Sequence, residues 1–407
     1  MSEVHRRLRA NRTVAIPGIA AATVAAVLGA VFGALWFLSL SGVGFSVAVS
    51  TSHPILMLYG FVYAFVLSVA SLLIPRFRNV DPARRVAVRL CGPVLLVASV
   101  FARSLSDPGS VTSIAALAVA TVAVSAMALY TWLSIGRPSG PLGAADPLVQ
   151  LSVTVMAVTL LLHALLEHSG LAPFTTPGFV NLALFGAVGS MVLGVGIKTV
   201  HFRIELKLRR RLWWWIAPLQ ALGSALSMAA VLLSDRVLEL LGAVSFTASL
   251  FIWAVSLDAL RVVRSGAQYS RMNERDRKRY EYFVVHFAIS TLWALSASIL
   301  SVLTALSSLT SGPFWYGLRD ASIHAFTIGF VGNAILAYAP IMLPGLLTGR
   351  TPYLGLTFWP AVYLNVGNVL RMVWFLTGLG GPLLPWLASA LYLAAIALAL
   401  LMMHSLR

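Results

Sequence analysis

Eight histidines give this sequence its best material for metal or redox chemistry. Neutral imidazole is a common nitrogen ligand for haem iron and copper. His53 lies in Ser52-His53-Pro54-Ile55-Leu56-Met57-Leu58-Tyr59-Gly60-Phe61. On a helix its face continues through Leu56, Met57, Gly60 and Ala64. The small Gly60 and Ala64 would leave room for a flat macrocycle, or for close helix packing. His324 lies in Asp320-Ala321-Ser322-Ile323-His324-Ala325-Phe326-Thr327-Ile328-Gly329. Asp320 and His324 share one helix face, so Asp320 either orients the imidazole or caps the helix. Arg371 stands inside the apolar run Val366-Gly367-Asn368-Val369-Leu370-Arg371-Met372-Val373-Trp374. Its guanidinium would either grip a carboxylate or snorkel to lipid headgroups. Asn365 and Asn368 add polar groups to the same stretch.

Weaker constellations follow. His163 and Glu167 are four residues apart and could bind a metal, relay a proton or form an interfacial hydrogen bond. His168 is off their face. Tyr282 and His286 could serve a quinone or a proton entry, or simply pack. The glycines from Gly186 to Gly196 suggest close helix contact or a ligand-facing surface. The lone cysteine, Cys91, excludes a disulfide framework, a thiolate cluster and the CxxCH haem-attachment motif.

The elements that carry these residues are membrane spans. Hydrophobic residues make up 59% of the 407 and charged ones 10%, against about 45–50% and about 25% in soluble domains. That excludes a soluble enzyme, a coiled coil and a disordered chain. Apolar runs of roughly 20 residues recur, each able to cross a ~30 Å hydrocarbon core, and solid runs exclude an outer-membrane barrel. The first run is too long for a signal peptide and is read as a retained helix. The composition therefore predicts an all-α membrane protein with twelve transmembrane helices in one integral membrane domain, 1–407. The spans are Val14–Leu40, Ile55–Ile74, Val86–Phe101, Val111–Ile135, Leu148–His168, Phe179–Ile197, Leu212–Leu233, Val237–Leu260, Tyr282–Leu306, Ala321–Leu343, Leu356–Leu376 and Leu383–Met403. No tandem repeat is evident.

The net charge is +16, but its basic residues sit in short loops, where they set topology rather than bind nucleic acid. With both termini cytoplasmic, inside segments hold 25 of the 29 Lys and Arg. Arg103, Arg236, Arg319 and Arg371 are the exceptions. This direction puts His53, His163, His168 and His324 near the outer face, with Arg371 one to two turns from it. His201 and His286 fall near the inner face. The clusters Arg209-Arg210-Arg211 and Arg275–Arg279 face lipid headgroups inside, beside the interfacial Trp213, Trp214 and Trp215. The localisation expected is the plasma membrane.

The chain resembles the NnrS family, twelve-helix membrane proteins that bind haem and copper and are linked to nitric oxide stress. That family's second helix opens with a His-Ala-His-Glu-Met-Leu-Phe-Gly type pattern, met here by His53-Pro54-Ile55-Leu56-Met57-Leu58-Tyr59-Gly60. Its tenth-helix pattern His-Ala-Leu-Thr-Val-Gly is met by His324-Ala325-Phe326-Thr327-Ile328-Gly329, and a late arginine in the eleventh helix by Arg371. The chain also resembles subunit I of haem–copper oxidases, with haem ligands on helices two and ten near the outer face. Two departures bear on copper. Ile55 replaces a second histidine, and Leu347-Thr348-Gly349-Arg350 lacks the histidine before Thr-Gly-Arg. Spans six and seven carry no histidine, unlike the oxidases' copper-ligating helices.

The resemblance implies an oxidase-subunit-I-like bundle and a b-type haem bound by His53 and His324 between helices two and ten. It implies Arg371 on a propionate, Gly60 beside the macrocycle and His163 as a lesser metal candidate. It further implies haem-dependent handling of nitric oxide or another diatomic gas, or electron transfer from quinol or another donor. A cofactor-free secondary transporter and a non-enzymatic haem-based gas sensor are the alternatives. A transporter would gather polar groups or broken helices at the midplane, whereas here polar groups gather toward the outer end.

Overall fold

In the computed structural model, the described residues are 3–40, 47–78, 86–135, 143–200, 207–265, 274–310, 315–339, 358–381 and 383–404. Among them there is no strand, and ten helices are long and apolar enough to cross a membrane. We number these α1 (Thr13–Trp36), α2 (Thr51–Ile74), α3 (Val86–Ser104), α4 (Val111–Ile135), α5 (Asp146–His168), α6 (Phe179–Thr199), α7 (Arg210–Leu233), α8 (Arg236–Ser256), α9 (Glu281–Leu309) and α10 (Tyr316–Ala339). Two further helices follow, α11 (Phe358–Thr377) and α12 (Leu383–His404). The runs Leu347–Arg350 and Gly136–Leu142, with Arg137, lie outside the described residues, as does His201. So do the side chains of His5, His404 and Arg275–Arg279.

The termini of these helices follow from local chemistry. Asp235 caps α8, its carboxylate accepting from the Val237 and Leu238 amides at 2.7 and 3.1 Å, which satisfies two otherwise orphaned donors. Gly109 and Gly170, with φ of 75° and 72°, supply the left-handed turns after α3 and α5. Two ends differ from the expected ones. The α8 helix stops at Ser256 rather than Leu260, because Asp258 takes a left-handed conformation (φ 56°) and pairs with Arg261 at 2.5 Å. The second helix begins at Val47, eight residues before Ile55, so Pro54 lies inside it. Proline cannot donate an amide there, and the backbone widens directly after it.

That widening is a π-helical stretch, Leu56–Tyr63, and it recurs at Leu182–Gly189 in α6 and Ala325–Gly332 in α10. The three octads read LMLYGFVY, LALFGAVG and AFTIGFVG. Each has glycine fifth (Gly60, Gly186, Gly329) and valine seventh (Val62, Val188, Val331), on every fourth span. A repeat this short and widely spaced escapes a search for tandem similarity. The spans that carry it are deeply enclosed, with 72%, 83% and 67% of their apolar windows buried, against 39% for α4. Outward faces such as Val122 and Leu129 on α4 remain exposed, as lipid-facing positions do.

The chain divides into two compact units, Met1–Thr176 and Pro177–Arg407. In the first, α1 packs on α2 and α3, α3 on α4, and α4 on α5. In the second, α7, α8, α9 and α10 pack in chain order, followed by α11 against α10 and α12 against α11. Short connections make successive helices neighbours.

Candidate functional site

Each unit holds one cluster of histidine, carboxylate and arginine, buried in the first unit and part-buried in the second. In the first unit α2 and α5 run antiparallel and meet in a polar ladder. The Tyr63 hydroxyl pairs with the Thr159 hydroxyl at 2.9 Å, and one turn along, the Tyr59 hydroxyl meets His163 Nδ1 at 2.9 Å. His163 Nε2 meets Glu167 Oε1 at 2.9 Å. Arg103 Nε donates to the same oxygen at 2.9 Å and its Nη2 also bonds there. Ser113 Oγ donates to Oε2 at 2.6 Å. Tyr59, Tyr63, His163, Glu167, Arg103 and Ser113 are all buried.

Charge balance fixes the tautomer of His163. Arg103 neutralises Glu167, so the ring between them and Tyr59 is neutral. The carboxylate only accepts, so Nε2 carries the proton and Nδ1 accepts from the Tyr59 hydroxyl. Both ring nitrogens of His163, the lesser metal candidate, are thereby engaged by protein groups. Glu167 closes over from the C-terminal side because helical side chains lean toward the N-terminus, which brings an acid at i+4 back onto the imidazole.

His53 is held differently. Its Nδ1 lies 2.7 Å from the Gly29 carbonyl of α1. A carbonyl only accepts, so Nδ1–H donates and Nε2 bears the ring's lone pair. The ring lies against Gly33, where a Cβ would come within 2.6 Å of Cε1. Gly33 therefore seats the imidazole, a role that only the α1–α2 contact reveals. Gly60, read as space for a macrocycle, is filled by packing: a Cβ there would lie 2.9 Å from Ala25 and 3.2 Å from Val100.

In the second unit, His324 Nδ1 donates to the Asp320 carbonyl at 2.9 Å and lies 3.3 Å from its carboxylate. Nε2 is again the lone-pair nitrogen. Asp320 is inside the helix Trp315–His324, which begins before the expected Ala321, so it orients His324 and does not cap the helix. Arg371 of α11 grips the same carboxylate with both teeth of its fork, Nε to Oδ2 at 2.9 Å and Nη2 to Oδ1 at 2.8 Å. The carboxylate partner expected from a propionate is thus supplied by Asp320. Asn368 Nδ2 donates to the His324 carbonyl at 3.2 Å, and Asn333 Nδ2 and Ser290 Oγ donate to the Gly329 and Phe330 carbonyls of the π-helical stretch.

All four arginines that break the loop-charge pattern are answered by acids or carbonyls. Besides the two pairs above, Glu239 accepts from the Gly178 amide and attracts both Arg236 and Arg319, and Arg236 donates to the Ser308 carbonyl. Of the remaining candidates, Tyr282 donates to the Leu336 carbonyl at 2.7 Å, and His286 Nδ1 meets Asn333 Oδ1 at 3.3 Å. Asn365 and Asn333 form a reciprocal amide pair at 3.0 Å in each direction. His168 lies exposed at the end of α5. Among the described residues no three of His, Cys, Asp and Glu converge as a metal ligand set. No protein-family model matches the chain, and no curated protein matches it.

Proposed function

We propose that the chain is a haem-binding multi-pass membrane protein of the NnrS type, acting on nitric oxide or a related diatomic gas. As the resemblance implies, His53 and His324 are the residues that would hold the haem iron. The observation that carries this reading is their shared tautomer. Each imidazole is anchored through Nδ1–H to a backbone carbonyl, the bond that fixes ring orientation and tautomer in metal-ligating histidines. His163, bonded through both nitrogens, is not part of the proposal. Neither is copper, because Ile55 and Leu347 stand where the family's further histidines would be.

The haem would supply the redox-active iron, and a gas would bind it only where one of the two histidines gives way. The protein's own part is positional. Gly29 and Gly33 fix the His53 ring, and the Asp320 carbonyl fixes His324. Arg371 acts through Asp320 as a positioning residue rather than on the cofactor itself.

The test is the optical spectrum of detergent-purified protein, oxidised and dithionite-reduced, with and without nitric oxide. Protein from haem-replete cells is expected to show a Soret band with sharp reduced α and β bands. His53→Ala and His324→Ala each should remove the low-spin bands, and Gly33→Val should displace the His53 ring and shift them. A band shift with the gas supports gas chemistry over electron transfer alone. A colourless protein overturns the proposal.

A further inference from the structure

We propose that Tyr59, His163 and Glu167 form a proton relay joining a fully buried phenol of α2 to water at the rim where α5 ends. This inference stands on the first unit alone and does not depend on haem. The α5 members of the relay, His163 and Glu167, are four residues apart, roughly 6 Å at 1.5 Å per residue. The relay's deep end is Tyr59, beside Tyr63 and Phe174. Its shallow end lies under the exposed α3–α4 turn. There Arg103 Nη1 donates to the Ser106 carbonyl at 3.3 Å, and a Cβ on Gly109 would come 3.1 Å from the Glu167 carbonyl. The charged and titratable groups facing the relay are Arg103, Glu167 and Tyr63, from α3, α5 and α2.

Ionisable groups within membrane spans are rare, and chains of them mark proton routes. The resting bonds set the order of transfer. The Tyr59 hydroxyl gives its proton to Nδ1 as Nε2–H gives its own to the Glu167 carboxylate, whose 3% exposed side chain passes it to water only when the turn above it opens. One O–H bond breaks at Tyr59 and one forms at Glu167. The imidazole stays neutral and exchanges which nitrogen bears hydrogen. Return of a proton by the same route restores the phenol. Arg103 and Ser113 hold Glu167 against the ring without entering the transfer.

A purely structural network makes the opposite prediction for one conservative variant. In nanodisc-embedded full-length protein with ¹⁵N-labelled histidine, the His163 Nε2–H signal is assigned by its loss in His163→Gln. Its exchange with D₂O is then timed. The relay predicts exchange within seconds, while backbone amides of α5 stay protected for hours. Tyr59→Phe keeps the ring and the Glu167–Arg103 pair but removes the proton that must enter Nδ1, so exchange should slow at least tenfold. A structural lock would exchange only by local opening, which Tyr59→Phe would leave unchanged or accelerate. Either of those results, or wild-type Nε2–H as protected as the amides, overturns the relay. Folding of each variant is checked by size-exclusion profile and thermal midpoint.

Discussion

The two clusters use the same three side-chain types and the same spacing of four, yet they leave their histidines with opposite capacities. In α5 the acid follows the histidine, His163 then Glu167. In α10 it precedes, Asp320 then His324. Because helical side chains lean toward the N-terminus, a following glutamate folds back onto Nε2, whereas a preceding residue offers its carbonyl to Nδ1. The first order yields an imidazole bonded at both nitrogens, fit to pass a proton. The second yields an imidazole anchored through Nδ1, with its Nε2 turned away from the acid, the arrangement the proposed haem ligand needs. Residue order alone, with composition held constant, separates a relay from a ligand.

The comparison breaks most sharply at the arginines. Arg103→Met leaves the buried Glu167 carboxylate without its cation and should cost about 3–5 kcal/mol in unfolding free energy. Arg371→Met should cost less, about 1.5–3 kcal/mol, because the Asp320 carboxylate keeps 12% exposure to share with solvent. Reversible unfolding in detergent measures both, and equal losses would erase the distinction between the clusters. Next come the π-segment glycines. Gly329→Ala would set a Cβ 2.4 Å from Trp293 Cγ, an overpacking worth about 1–3 kcal/mol. Gly60→Ala, facing only Ala25 and Val100, should fall at about 1 kcal/mol. The smallest effect is expected at the deep rung of the α2–α5 ladder. A double-mutant cycle of Tyr63→Phe with Thr159→Val should return a coupling of about 1 kcal/mol, and a value near zero would mean that this rung does not brace α2 against α5.

The spans were legible because a run of apolar residues is a statement about length and solvent, and both survive without knowledge of neighbours. Phe179–Ile197 and Val111–Ile135 needed no tertiary information. The pairs were not legible. Arg103 and Glu167 are 64 residues apart, and Asp320 and Arg371 are 51 apart, so Arg371 was read against lipid or a propionate, Asp320 against His324 or the helix end, and Glu167 against His163 alone. A usable signal existed, since each arginine that broke the charge asymmetry shared its expected depth with an acid. The anchoring of His53 by Gly29 and Gly33 could not be read, because glycines of α1 look like ordinary helix-packing positions. The π segments were also hidden, since their hydrophobicity is uniform around the helix and carries no phase.

Those segments also make the chain unevenly forgiving of errors in its length. A π turn houses one residue more than the α turn it replaces. Losing a residue from Leu56–Tyr63 or Ala325–Gly332 would let the backbone tighten to the ordinary pitch. Every side chain downstream would keep its facing. The same loss in α4 would turn the rest of that helix by about 100°, presenting lipid-facing valines to the interior. The three octads are therefore the places where this gene can be shortened by a codon and still encode the same arrangement of helices.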